Sequence, residues 1–229
     1  VLHQLSFDLE RKHRLVRERK EIETGNKRLN RFRFYHALFQ EYLYNRLSQG
    51  ERRLWHGRIG EALEDLYRPM HEEKAVQLAH HFDLADDHPR AYHYYVLAAE
   101  HSSRLYATKE VQENFTKAIE LADVVAPKIQ DLIKLYRGRG LISGRLGDFD
   151  QAQSDHQTAL QLARVEGEME LEWRAFIDLG RLWAARDYQR TQRHFEGALE
   201  LSQRIDDPTI LANSLNWMGN WHTNAENVG

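Results

Sequence analysis

The sequence predicts a mainly α-helical chain: an α-solenoid of antiparallel helical hairpins, preceded by a short segment that ends in a small β-hairpin. Three observations carry this expectation. Small and large residues recur together every 39–40 residues, from Gly140 to Gly180 and on to Gly219. Alternation with period two, the mark of a half-buried strand, is confined to the first 35 residues. Proline occurs 4 times in 229 residues while 29% of the residues are charged, which favours long amphipathic helices over a thick core.

From the N-terminus, Leu2, Leu5, Phe7 and Leu9 open a helix-like segment. Residues 15–22 then read as a strand, and 23–27 as a polar turn containing Gly25 and Asn26. In residues 31–35, Arg31, Arg33 and Tyr35 alternate with Phe32 and Phe34, so a second strand is expected. Helix, strand, loose turn, strand is the order in which a winged-helix domain ends, the hairpin being its wing. From His36 onward only helices are expected. Leu38, Phe39, Tyr42, Leu43 and Leu47 recur at helical spacing, and Ser48 is placed to cap the next helix. Leu54 to Tyr67 continues the pattern to the break at Pro69, followed by helices over 75–84, 91–105 and 108–125. The expected divisions are 1–47 (end of the winged helix), 48–125 (a helical arm of degenerate hairpins) and 126–229 (regular repeats).

The repeat explains itself physically. Gly140, Gly180 and Gly219 let a first helix approach its partner closely, and Ala152, Ala159 and Ala198 do the same on the second helix. Tyr136, Leu146, Phe149, Phe176, Trp183, Tyr188 and Phe195 are expected to fill the spaces between. These offsets match the tetratricopeptide pattern, with a large residue at position four, Leu-Gly at seven and eight, an aromatic at eleven, Ala at twenty, an aromatic at twenty-four and Ala at twenty-seven. Leu179-Gly180, Trp183, Phe195 and Ala198 fit it best. His156 at position twenty-four and Thr191 at position twenty depart from it. Leu78-Ala79, Phe82, Ala91, Tyr95 and Ala98 hit the same offsets earlier, as do Val111, Phe115 and Ala118.

Residues 32–44, Phe-Arg-Phe-Tyr-His-Ala-Leu-Phe-Gln-Glu-Tyr-Leu-Tyr, carry a second resemblance. They are similar to the junction after the ATPase core in bacterial STAND-class regulators, the large ATPases attached to adenylate cyclase, kinase or transcription-activator modules. There a winged helix ends in a Phe-x-His-x-Leu junction, two helices follow, then a Leu-Ala-His-His-aromatic helix (here 78–82), then tetratricopeptide repeats. The resemblance implies that His36 corresponds to the nucleotide-sensing histidine near the β-phosphate of bound ADP. The residue after it is Ala37 where the family motif has Asp. It further implies that ATP or ADP belongs to the full-length parent, whose ATPase core would be an intramolecular partner, and that this portion carries no cofactor of its own.

Several chemistries find no support in the sequence. Lys plus Arg is 32 and Asp plus Glu 35, a formal net charge of −3, so a generic polyanion binder is not expected. Cysteine is absent, which removes disulfides and thiolate chemistry. There is no Gly-x-x-x-x-Gly-Lys-Ser/Thr loop and no nucleophile elbow. The thirteen histidines are densest around His80, His81, His88, His93 and His101. Adjacent histidines on a helix diverge by about 100°, so no metal site is expected. No apolar run approaches the ~20 residues of a membrane span. The chain opens on Val1 without a leader, and the third repeat stops before its second helix. The expectation is a cytoplasmic, non-enzymatic piece of a longer protein, of undetermined oligomeric state.

Two binding surfaces follow. Residues 11–33 hold ten cations against Glu18, Glu21 and Glu23. A basic wing can grip a DNA backbone, so a DNA-binding winged-helix regulator with a helical dimerisation region is the alternative reading; a solvated or core-docking hairpin is the expectation, and nucleic acid is not the expected partner. The other surface is the concave face of the repeats, lined by positions two, five, nine, twelve and thirteen of each first helix. These give Lys134, Arg137, Leu141, Gly144 and Arg145, then Arg174, Ile177, Arg181, Ala184 and Ala185, then Asn213, Asn216, Asn220, Thr223 and Asn224. The set contains Arg, Lys and Asn and no carboxylate. Arg grips carboxylates and Asn pairs with peptide backbone in both directions, so a protein or peptide ligand of acidic character is expected.

Overall fold

The computed structural model describes residues 4–19, 22–24, 27–68, 71–103 and 108–226. The chain divides into two compact units, Val1–Ala91 and Tyr92–Gly229.

The first unit opens with a π-helical segment, Gln4–Lys12, and four short strands, β1 (Val16–Glu18), β2 (Ile22–Thr24), β3 (Lys27–Leu29) and β4 (Phe32–Phe34). β1 pairs antiparallel with β4, Val16 opposite Phe34, and β2 with β3, Ile22 opposite Leu29. The hairpin expected from the alternation is therefore present, with the register of its tip displaced by one residue from that of its base; the expected turn over 23–27 is shorter, since Glu23 and Thr24 pair with Arg28 and Lys27 in β2 and β3. Val16 is buried and Phe32 and Phe34 half-buried, while Arg31 and Arg33 point to solvent, as period two requires.

Helices α1 (Ala37–Arg46), α2 (Gln49–Leu66) and α3 (His71–Leu84) follow. A reciprocal capping box starts α2: the Glu51 amide donates to Ser48 Oγ at 3.3 Å, and Glu51 Oε2 accepts from the Ser48 amide at 2.8 Å. Those bonds stabilise the charged carboxylate and hold the Glu51 pKa below its ordinary value. α1 has the expected helical spacing but no buried residue. Leu38 is 75% exposed, and Phe39, Tyr42 and Leu43 are exposed with it. Periodicity here forms the helix without burying its apolar face.

Helix α4 (His88–Ser103) leads into the second unit, which continues with α5 (Lys109–Val125), α6 (Ile129–Leu146), α7 (Phe149–Glu166), α8 (Met169–Trp183), α9 (Tyr188–Ser202) and α10 (Pro208–Glu226). From α5 on, each helix packs on the next, and α6 also touches α8. This is a stack of hairpins in which the first helices of successive repeats are neighbours. The turns are built from capping residues. Gly147, at φ 87°, ends α6 while the Asp148 amide returns to Ser143 O at 2.9 Å. Asp148 then caps α7 by accepting from the Gln151 amide at 3.3 Å. Asp187, 39 residues on, caps α9 in the same way through the Arg190 amide at 2.9 Å. The recurring Gly-Asp-Phe and Arg-Asp-Tyr triplets are thus helix starts.

Ile133, Ala159, Leu160, Ala163, Ala175 and Leu179 form one core cluster; Ile177, Phe195 and Ala198 form the next, with Trp173, Phe176, Trp217, Met218 and Trp221 against it. The small positions matter because of what faces them. A Cβ on Gly140 would stand 2.7 Å from His156 Cε1, and one on Gly180 would overlap the Phe195 ring. The offsets of the degenerate copies are filled by residues that are likewise buried, among them Leu78, Ala79, Phe82, Ala91, Tyr95, Ala98, Phe115 and Ala118. Buried charge is paired: Arg139 donates from Nε to Asp155 Oδ2 at 2.9 Å and from Nη2 to Oδ1 at 2.7 Å, tying α6 to α7. Among the described residues, no helix is long and apolar enough to cross a membrane.

Candidate peptide groove

The adjacency of α6 and α8 sets their outward turns side by side. Between them lies a cavity of about 210 Å³ whose lining includes Gly140, Gly144, Arg145, His156, Asp178, Arg181 and Arg186. Small residues at positions eight and twelve of α6 leave the space open. Arg186, in the turn after α8, lays its guanidinium over the Phe149 ring at 3.3 Å from the centroid and donates from Nη1 to Leu182 O at 3.3 Å. Arg181 lies over the Trp217 ring of α10 at 5.5 Å. Among the described residues neither pairs with a carboxylate, and neither does Arg145.

Asp178 enters the same lining but is already engaged. Its Oδ2 accepts from Arg137 Nε at 2.6 Å, with side chains 4% and 17% exposed respectively. His156 is 2% exposed, and its Nδ1 has no hydrogen-bond partner. Burial lowers its pKa most; Asp178 and Asp155 oppose that shift and Arg137 and Arg181 reinforce it, so the site favours the neutral ring.

No protein-family model matches the chain, and no curated protein matches it. Among solved structures it is similar to the crystal structure of BtubC (BKLC) from P. vanneervenii, with a TM-score of 0.54 and 18% identity over 79% of this chain and 85% of that one. BtubC is a tetratricopeptide/kinesin-light-chain-like repeat protein. The fold of the present chain is a tetratricopeptide-like helical repeat.

In that repeat frame Ile177, expected on the groove face, is instead buried in the core cluster with Phe195 and Ala198, and the expected polar groove residues separate into three groups. Arg145 and Arg181 are exposed beside the cavity. Lys134, Arg174 and Arg137 have intramolecular partners: Lys134 reaches Asp131 at 3.0 Å, Arg174 chelates Glu170 on its own helix, and Arg137 holds Asp178. Asn213, Asn216 and Asn220 are exposed on α10, and the side chain of Asn224 lies outside the described residues. The positional rule omitted Asp178 at position six, Arg186 in the turn, and His156 on the second helix. His156 was nevertheless visible as the departure from an aromatic at position twenty-four.

The other expected sites lie in the first unit. His36 stands at the N-cap of α1 in extended conformation, exposed, with no capping hydrogen bond and its ring edge-on to Phe39 at 5.9 Å. His56, His80 and His81 form a cluster: His56 Nδ1 and His81 Nδ1 are 2.9 Å apart, and Tyr44 Oη is 3.0 Å from His56 Nε2. Neutral rings permit a relay of either polarity here: Tyr44 O–H donates to His56 and His56 Nδ1–H to His81, or His81 Nδ1–H donates to His56 and His56 Nε2–H to Tyr44. No group of three or more metal-ligating side chains occurs among the described residues.

Proposed function

We propose that this chain is a non-catalytic recognition module whose concave face, along α6, α8 and α10, binds an extended protein or peptide segment of acidic character. The observation that supports the reading is the lining between α6 and α8, where Arg145, Arg181 and Arg186 stand without carboxylate partners among the described residues, together with the exposed amides of Asn213, Asn216 and Asn220 on α10, the next first helix. Arginine supplies a rigid fork of donors matched to carboxylates, and amides satisfy both backbone groups of an extended strand.

The finer reading is that the module is the sensor region of a STAND-type signalling or transcription-regulatory ATPase. Support comes from the order of elements: a β-hairpin, the His36 junction, a short helical arm and repeats. The apolar surface of α1 and α2 supports it as well. Leu38, Phe39, Tyr42, Leu43, Leu54 and Trp55 are all exposed, more than scattered surface residues account for, and an ATPase core in the parent would cover them. A peptide-array screen at low salt tests the recognition reading. Enriched acidic peptides support it; binding without acidic bias, or none, overturns it. Measurable ATP hydrolysis by the purified chain would remove the non-catalytic assignment.

A further inference from the structure

Three helices of the first unit meet at a pair of histidines whose geometry limits how many protons they can hold. We propose that the contact between His56 and His81 is a proton-counting joint: it stays closed with both rings neutral or with one added proton, and the second added proton opens it and uncouples α1 from α3. The inference is independent of the recognition reading.

Hydrogen-bond geometry carries it. Tyr44 of α1, His56 of α2 and His81 of α3 form a chain of two bonds, 3.0 Å from Tyr44 Oη to His56 Nε2 and 2.9 Å from His56 Nδ1 to His81 Nδ1. With both rings neutral, a single hydrogen lies between the two Nδ1 atoms, and either polarity fills both bonds. One added proton is also accommodated. An imidazolium at His56 donates from Nδ1 to neutral His81 and from Nε2 to Tyr44. An imidazolium at His81 donates from Nδ1 to neutral His56, whose Nε2–H then donates to Tyr44. The second added proton has no such arrangement. Both Nδ1 atoms then carry hydrogen, so N–H faces N–H at a hydrogen-bond distance with no acceptor between them. Two like charges would also stand on rings whose centroids are 5.1 Å apart.

Packing decides what gives way. α2 and α3 are joined apart from the rings: Gly60 is buried so close to Phe82 that a Cβ on it would stand 2.8 Å from the Phe82 ring, and Arg53 pairs with Asp86 at 3.1 Å. α1 buries none of its residues. Arg52 ties it to α2, donating from Nε to Tyr44 O at 3.2 Å and lying over the Tyr44 ring at 4.6 Å. The tie from α1 on to α3 runs through the two rings. The groups facing them are Tyr44 from α1, Arg52 beside it on α2, and His80 from α3, whose ring centroid is 6.3 Å from that of His56 and 6.0 Å from that of His81. Burial is the largest cause that lowers both histidine pKa values, and neighbouring histidines add to it. Among the described residues no carboxylate acts on either ring to offset a second charge.

The experiment has two readouts on the full chain. Histidine-selective ¹⁵N NMR follows the ring nitrogens from pH 8 to 4.5, with His56 and His81 assigned by their loss in His56→Gln and His81→Gln. The pair should titrate in two shared steps more than about one pH unit apart. In either single variant the remaining ring should titrate in one step, at a higher pH than the second step of the pair. The second readout is the distance from α1 to α3. The chain has no cysteine, so Glu41→Cys on α1 and Gln77→Cys on α3, both exposed, take nitroxide labels without background. The distance distribution should stay narrow through the first step and broaden at the second, and adding His81→Gln should abolish the broadening while far-UV circular dichroism keeps its helical signal. Independent single-step titrations of the two rings overturn the joint. An α1–α3 distance unchanged after the second step overturns the coupling of α1. Equal broadening with and without His81→Gln, or helix loss over the same pH interval in both, assigns the response to general acid unfolding and overturns the proposal.

Discussion

Arg137 of α6 and Asp178 of α8, 41 residues apart in the chain, meet at 2.6 Å with both side chains largely buried. The pair joins the first helices of two successive repeats along the wall of the groove. It removes Arg137 from the residues free to bind ligand, and it silences the one carboxylate that would otherwise repel an acidic segment. Removing one partner of such a pair leaves a desolvated charge and costs about 3–5 kcal/mol. Asp178→Ala should therefore lower the melting temperature on the order of 10 °C, at the few degrees per kcal/mol of a chain this size. The double variant Arg137→Met/Asp178→Leu should recover most of the loss, since no uncompensated charge remains. Calorimetry on the two variants decides this.

Glycines at equivalent repeat positions should respond differently to the same substitution. A methyl at Gly180 overlaps the Phe195 ring, and overpacking of this kind costs about 1–3 kcal/mol. A methyl at Gly219 meets nothing within 4 Å, and alanine in a helix interior gains up to ~1 kcal/mol over glycine. Urea unfolding should place Gly180→Ala below the parent and Gly219→Ala at or above it.

Acidification should weaken the fold through its histidines. Burial is the largest cause lowering the pKa of His56, His81, His156 and His194 from 6.5, with neighbouring histidines adding to it at His56 and His81 and neighbouring arginines at His194. A lowered histidine pKa means that the folded state holds the neutral ring. The unfolded chain then takes up protons first as the pH drops. The stabilisation is complete above pH 6.5 and is lost progressively below it. The urea midpoint of the full chain should be flat from pH 8 to 7 and fall toward pH 5. His81→Gln, which replaces one ring of the Tyr44–His56–His81 relay by a group that does not titrate there, should reduce that fall.

How far the sequence anticipates this arrangement depends on the range of the interaction concerned. Helix starts are local: Ser48 is read as a cap from the sequence and is one, while Thr108, Asp148 and Asp187, not read as caps there, accept from the amide three residues on in the same way. The repeat frame is also legible in its two fuller copies, since Gly140, Ala159, Leu179, Gly180 and Ala198, marked as closely packed, are buried; Gly219, marked in the same way, is exposed and meets nothing within 4 Å. Charge pairing across repeats is not. The offset rule states which side chains point into the groove, not which neutralise one another, so Arg137 reads as a ligand until Asp178 is found against it. Burial of α1 is not legible either: the spacing of Leu38, Phe39, Tyr42 and Leu43 marks an apolar face and says nothing of what covers it. His156 falls between these cases. Its departure from the aromatic at position twenty-four is visible, and its orphaned nitrogen is a fact of packing.

The junction histidine offers a separate test of the regulatory reading. His36 is exposed at the start of α1 and makes no capping hydrogen bond, so His36→Ala should leave the stability of this chain nearly unchanged, within about 0.5 kcal/mol. If the regulatory reading holds, the same substitution in a parent that carries the ATPase core should alter nucleotide-dependent switching and speed the loss of bound ADP. Unchanged ADP retention would detach His36 from any nucleotide role.

The groove reading is most exposed at Arg181. Its position nine on α8 is central to the face, it is solvent-accessible, and its neighbours Leu179 and Trp183 are buried and half-buried. Arg181→Glu should therefore reverse the local charge without unfolding the repeat. Lys128, the exposed N-cap residue of α6, carries the same charge outside the groove positions, so Lys128→Glu is the matched control for net charge. With acidic peptides from the array, Arg181→Glu should lose tenfold or more in affinity while Lys128→Glu stays near the parent. The parent's own affinity should fall with salt, because charge pairs open to solvent are screened over ~8–10 Å at physiological ionic strength. Equal losses in both variants would mean that net charge alone attracts the peptides. No loss in Arg181→Glu would return the groove arginines to ordinary surface.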